Sequence, residues 1–333
     1  MSGMKRAAGF ALLAVLALPS AARADGLPVL GVDGSDGVVS ADGASRYVTF
    51  VSGTRTVVAR IHPKGGTVAR HRAIPGVFTV PRVAYDNSAS GLAADGRTLV
   101  LIRPRTRLAQ KATHLVVVDP VRLQVRRRIT LRGDFSFDAI SPDGSTLYLV
   151  EYLSLGRRNF DPTNYLVRAL DARSGRLDPK PIVDPREPDE KMGGFPVTRA
   201  TGPDGRWVYT LYEGGEHPFV HALDTTGRSA RCIDLDALSG REDVFRMRLL
   251  LGAGGRDLAV VLGKEPVALV DTATFEVTEP RAQAAEPRRP GHAGEEGGRS
   301  WLLSASAALV LLIGLGALLA ARARPLARGV RAR

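Results

Sequence analysis

FSFDAISPDGSTLYLVEY, residues 135 to 152, reads as two short strands around a tight turn. Phe135, Phe137 and Ala139, then Leu147 and Leu149, alternate with other residues at the period of two that strands burying one face require. Pro142 presets φ for the second position of a type I turn, Asp143 suits the third, and Gly144 supplies the left-handed residue that closes a three-residue hairpin. The same corner recurs as ADG at 41–43, ADG at 94–96 and PDG at 203–205, with a degenerate GAGG at 252–255. Each copy is followed by apolar alternation: TFV, LVLI, LYLV, WVYTL and LAVVL. A spacing of roughly 50 residues marks an array of repeats.

A second register supports the first. Strands ending in an acidic turn follow the later copies, at Asp119, Asp171, Asp224 and Asp271, and the first copy has His62 in that place. One more strand follows each turn, as in LQVRRRITL and FEVTE. Four strands per unit, five times over, is the blade pattern of a β-propeller. The expected fold is therefore all-β, a propeller of about five (five to seven) four-stranded blades over residues 25–280, with one C-terminal transmembrane α-helix.

LVVVDPVRLQVRRRITL (115–131) followed by residues 137–150 resembles the surface β-propeller repeat of the YVTN class, related to TolB-like propellers. The likeness covers residues 38–280 and is closest in the third unit. It implies a fold and a binding face; its members share no single chemistry, so it carries over no catalytic residue and no cofactor.

The ends of the chain read as address and anchor. Lys5 and Arg6, an apolar run from Ala7 to Leu18 and the small residues to Ala24 make a secretory signal (1–24). Residues 281–300 are a Pro-, Gly- and charge-rich linker, Trp301 to Ala321 are 21 residues without a charge, and 322–333 form a basic tail with five arginines. The positive-inside rule then places the propeller outside the cell membrane, at the cell surface, on a single-pass type I chain. The formal net charge of +12 owes most to these ends: removing Lys5, Arg6, Arg23 and the five tail arginines leaves 38 basic against 34 acidic residues. A nucleic-acid partner loses its support. Cys232 is the sole cysteine, so no internal disulfide forms, and it reads as a buried small residue.

Antiparallel order within a blade places the short acidic and glycine turns on one face and the long connections on the other: 103–113, 153–164, 183–194 and 213–218. Long connections on a rigid scaffold are where binding residues gather. On that face Arg103, Arg105 and Arg107 alternate, and Arg157 and Arg158 lie in the equivalent loop of the next blade. Together they suggest a basic lip for an anionic polymer or for phospholipid head groups, against the plainer reading of solvated charge. His217 and His221, near Glu213 and Glu216, would suit a metal ion if a third ligand joined them. The plainer reading is one loop and one strand histidine, and no metal or catalytic residue is assigned. Arg126–Arg128 and Arg132 read as charge protecting an outer edge, and Arg132-Gly133-Asp134 as a chance copy of an adhesion tripeptide. The expected function is a tethered binding or scaffolding module for an envelope protein or polymer. The alternative is a lactonase-like hydrolase with a metal or acidic site at the central channel, although no phosphate loop, G-x-S-x-G elbow or H-E-x-x-H occurs.

Overall fold

The computed structural model describes residues 37–280 except 65, 107–109, 154–164, 190–192 and 215–216. The signal, linker, membrane span and tail expected from the sequence lie outside these residues. No helix among the described residues is long and apolar enough to cross a membrane.

Among the described residues nineteen strands follow one another as antiparallel meanders in five sheets, which we call blades 1 to 5. Blade 1 holds β1 (Val38–Val39), β2 (Arg46–Ser52), β3 (Arg55–Ile61) and β4 (Val68–Pro75). Blade 2 holds β5 (Leu99–Ile102), β6 (Ala112–Asp119) and β7 (Gln124–Arg132). Blade 3 holds β8 (Phe135–Ile140), β9 (Thr146–Tyr152), β10 (Tyr165–Asp171) and β11 (Leu177–Ile182). Blade 4 holds β12 (Phe195–Thr201), β13 (Trp207–Glu213), β14 (Phe219–Asp224) and β15 (Ser229–Asp234). Two 3₁₀ turns, Asp236–Leu238 and Val244–Arg246, lead to blade 5: β16 (Met247–Leu251), β17 (Asp257–Leu262), β18 (Glu265–Asp271) and β19 (Val277–Thr278).

Both turn registers have a direct physical basis. In the first, Asp42, Asp95, Asp143 and Asp204 each accept the N–H two residues on, at 2.8–3.0 Å, while Gly43, Gly96, Gly144 and Gly205 take positive φ. In the second, Asp119 Oδ1 accepts from Val121 and Arg122, Asp224 Oδ1 from Thr226 and Gly227, and Asp271 Oδ1 from Ala273 and Thr274. A carboxylate that takes two backbone donors closes a turn the backbone alone would leave unsatisfied.

Blade 2 departs from the expected four strands. Its inner row is made by two legs of one excursion: Thr79 pairs with Ile102 at one end of β5, and Leu92 with Leu99 at the other. Gly91, at φ +103°, kinks the chain here, and a Cβ on it would fall 2.6 Å from the Val100 oxygen. Glycine weakens a strand interior and marks such a bend, and pairing here is reduced to isolated bridges. Between the legs the chain runs out as a short hairpin, with Arg82 paired to Ala89, whose tip reaches blade 4. There the Tyr85 and Asp86 amides donate to the Pro196 and Val197 carbonyls at 2.9 and 3.1 Å. Asp86 Oδ2 accepts from the Thr198 hydroxyl at 2.6 Å, and the Tyr85 ring meets Phe195 and Phe245 edge-on.

Neighbouring blades share apolar cores. Tyr47, Val58 and Ile74 pack with Leu99, Leu101 and Val116 between blades 1 and 2. Leu115, Val117 and Ile129 pack with Phe137, Leu147 and Leu149 between blades 2 and 3. Tyr148 and Val167 meet Val208 and Leu223 between blades 3 and 4, and Leu211 and Val220 meet Leu249 and Val260 between blades 4 and 5.

Contacts and burial refine two readings and correct a third. The arginines of β7 do more than guard an edge: Arg127 donates to the Ser174 carbonyl of blade 3 and Arg128 to the Pro75 carbonyl of blade 1, so one outer strand ties two neighbours. Asp134 is fully buried, so the Arg-Gly-Asp tripeptide is not displayed, in keeping with its reading as a chance copy. Cys232 is only partly buried, because it lies on the outermost strand of blade 4.

Candidate functional site: a basic groove between blades 1 and 2

The β5–β6 connection, on the face of the long loops, lines a groove of about 740 Å³. Arg103, Lys111 and His114 face it, with Pro104, Thr106 and Gln110 from the same connection and Gly53, Thr54, Gly76 and Val77 from blade 1 and the link that follows it. No carboxylate is among the lining residues. The Arg103 guanidinium lies 6.0 Å from the centroid of the Phe78 ring, which Arg128 approaches at 5.5 Å. An aromatic face between two cations favours both positions without neutralising either. His114 Nδ1 sits 3.1 Å from the Thr130 hydroxyl; burial, and then the Arg103 charge, push its pKa below the ordinary histidine value. The imidazole is therefore neutral near pH 7 and offers a hydrogen bond, while Arg103 and Lys111 carry the charge.

At its inner end the groove shares Arg103, Pro104 and Gln110 with a pit of about 20 Å³, which Arg82 and Arg105 also line. Arg105 corrects the expectation of an alternating basic lip: its side chain is 4% exposed and ion-paired with Asp134, which also accepts the Gln110 amide at 3.0 Å. The guanidinium stacks 4.9 Å above the Tyr152 ring. Its Nε and one terminal nitrogen, together with Arg82 Nε, have no acceptor among the described residues. A pit of this size admits one water or one ligand oxygen, and these donors would meet it.

The remaining sequence candidates among the described residues do not assemble into a second site. Arg107, Arg157, Arg158 and Glu216 lie outside the described residues. Glu213 ends β13, opposite Phe195. His217 Nε2 lies 3.1 Å from Asp234 on the surface, whereas His221 is buried in β14 and meets the Tyr212 ring edge-on. Because His217 precedes the strand and His221 is inside it, the two rings do not share the face their spacing suggested. Among the described residues no group of three His, Cys, Asp or Glu side chains is placed to hold a metal ion.

The central cavity, about 340 Å³, is lined by Val38, Val39, Ala93, Ala94, Ala139, Ile140, Thr201 and neighbouring residues, with no acid or histidine among the described residues. The nearby acid Asp138 sits at a bulge of β8 and is ion-paired with Arg199 of β12, both buried. Lys111 and His114 were missed in the sequence because only the register of β6 brings them to the side of Arg103. The signal available was the length of the 103–113 connection.

No family model and no characterised protein matches this sequence. Solved structures do resemble it. TolB from Acinetobacter baumannii aligns at 14% identity and a TM-score of 0.41 over 72% of this chain and 52% of that one, so the match spans about half of its length. A putative TolB from Agrobacterium tumefaciens aligns at 16% identity and 0.39, over 72% and 78%. A protein of unknown function from Desulfotomaculum acetoxidans aligns at 13% and 0.47, over 76% and 70%. The propeller architecture stands on the sheet order and registers above; likenesses at this level bring no ligand or reaction to this chain.

Proposed function

We propose that the protein is a binding module whose groove between blades 1 and 2 takes an anionic envelope polymer, held outside the membrane by the C-terminal span. The observation that carries this reading is the groove itself, which is large, carboxylate-free and lined by Arg103, Lys111 and a neutral His114. Cations on low-dielectric walls without a counter-charge raise the local concentration of anions. The pit beyond it, with spare donors on Arg82 and Arg105, suits an oxyanion oxygen of a phosphodiester or sulfate unit. The YVTN-type likeness of the repeat agrees with a surface binding role.

The test is titration of the full-length protein in detergent with a poly(glycerol phosphate) chain. Binding should weaken as salt rises through the physiological range. The pair Arg103→Ala with Lys111→Ala should weaken it at least about tenfold, roughly 1.4 kcal/mol. The pair Arg70→Ala with Arg72→Ala, on exposed positions of β4, should leave it unchanged. Equal losses from both pairs, or no binding by the parent chain, would refute the reading.

A further inference from the structure

The pit at the inner end of the groove gathers more positive charge than the surrounding side chains neutralise. Three elements build it: Pro81 and Arg82 from the short hairpin before blade 2, Ile102 to Arg105 with Gln110 from β5 and the connection after it, and Phe135 to Phe137 of β8. Pro81, Ile102, Phe135 and Phe137 give it apolar walls, which strengthen any charge they enclose. Arg82, Arg103 and Arg105 bring three guanidinium groups, and a guanidinium keeps its proton inside a protein. No carboxylate is among the lining residues. Asp134, behind Arg105, is shared between that side chain and the Gln110 amide. The other acids on these elements are engaged elsewhere, Asp138 with Arg199 and Asp86 with the Ser88 and Thr198 hydroxyls.

Hydrogen bonding leaves the same surplus. Arg105 commits one terminal nitrogen to Asp134, the Phe135 carbonyl and the Ser136 hydroxyl. Its Nε and its other terminal nitrogen have no acceptor among the described residues, although the side chain is 4% exposed. Arg82 donates one terminal nitrogen to Asn87 Oδ1 at 3.0 Å, and its buried Nε likewise has no acceptor. Buried donors are rarely left unmet, and here they belong to cations. A water would accept from them and leave the charge in place, whereas an anion answers both demands. The volume, about 20 Å³, admits one atom of about the size of a water oxygen, which excludes a whole phosphate or sulfate group and suits a halide ion.

We propose that the pit is a binding site for a single anionic atom, occupied by chloride and held between the Nε of Arg82 and a spare N–H of Arg105. The two spare donors of Arg105 leave its fork in different directions, so the ion takes one of them and needs Arg82 for its second. Bound there, chloride ties the hairpin to the β5–β6 connection and, through Arg105, to β8. One oxygen of an anionic ligand lying in the groove has the same chemistry, so such a ligand and chloride compete for the pit. The chloride site stands without the groove reading, which is tested at Arg103 and Lys111.

Chloride binding to the full-length protein in detergent is read from broadening of the chloride nuclear magnetic resonance line, with gluconate keeping ionic strength constant. The parent should broaden the line saturably. Arg82→Gln keeps the Arg105–Asp134 pair and removes one charged donor, and it should weaken chloride binding about tenfold. Arg105→Met with Asp134→Ala should abolish the saturable part, and Arg70→Ala with Arg72→Ala, exposed on β4, should leave it as in the parent. Thermal unfolding of the same proteins reports folding: replacing gluconate by chloride should raise the Tm of the parent and of the β4 pair, and not that of the Arg105 and Asp134 pair. No saturable broadening in the parent, or equal broadening in the parent and both pit variants, would overturn the proposal. Poly(glycerol phosphate) should narrow the chloride line as it binds, and binding that left the line unchanged would refute the competition. Chloride bound by a protein that ignores the polymer would sink the groove reading and support this one.

Discussion

Single side chains here matter most where burial has removed their alternatives. His221 is 2% exposed, and burial pulls its pKa down to about 4. Since the unfolded chain takes up a proton near 6.5 and the folded chain does not, the folded state loses ground as pH falls from about 6.5 to 4. The loss is on the order of 3 kcal/mol when complete. His221→Phe should remove that slope between pH 6.5 and 4, read as urea midpoints across the range, while above pH 7 the histidine contributes no pH dependence. Arg105 is the complementary case. Asp134→Ala leaves a buried guanidinium without its counter-charge and should cost about 3–5 kcal/mol in urea unfolding. Replacing both partners together, Arg105→Met with Asp134→Ala, should cost less than that single change. The sequence shows that Arg105 is an arginine on a loop; it does not show a carboxylate 29 residues away turning the side chain inward.

At the scale of elements, the turns separate local from tertiary demand. Gly43 and Gly205 occupy equivalent corners at φ +67° and +74°. A Cβ on Gly43 meets nothing within 4 Å, whereas one on Gly205 falls 2.9 Å from the Cβ of Ala94. Gly43→Ala should therefore cost only the backbone penalty, about 1–2 kcal/mol. Gly205→Ala should cost visibly more, because two backbone corners must also separate. Thermal unfolding of the two variants side by side reads the difference. The corners were legible beforehand, since aspartate and glycine at those positions act on their own chain within a few residues. The missing inner strand of blade 2 was not legible. Ala89 to Leu92 looks like any other run before a turn, and its kink at Gly91 depends on the approach of the Val100 carbonyl.

At the scale of the whole molecule, the excursion through Tyr85 and Asp86 is the tie across the inner rows. It links the chain leaving blade 1 to the bulged inner strand of blade 4, and Asp86 also lies 3.9 Å from Arg248 of blade 5. The Tyr85 and Asp86 amides should exchange with solvent as slowly as the strand amides of β9, although they sit in a connection. Asp86→Ala should speed their exchange more than that of β9, measured by native-state hydrogen exchange. Fast exchange in the parent protein would mean that the hairpin opens independently of the blades.

By itself the sequence determined the all-β class, the repeat of about 50 residues, the two turn registers and the face on which the long connections lie, and it left the blade number between five and seven. Those features follow from alternation, φ preference and hydrogen bonds that close within a few residues, and such interactions are written in local order. Tertiary structure alone decided which arginines reach solvent, that His217 and His221 part company, that Lys111 and His114 join Arg103, and that the described lining of the central cavity holds no acid or histidine. These outcomes depend on strand register within a blade and on the packing of one blade against the next, and no local pattern encodes either.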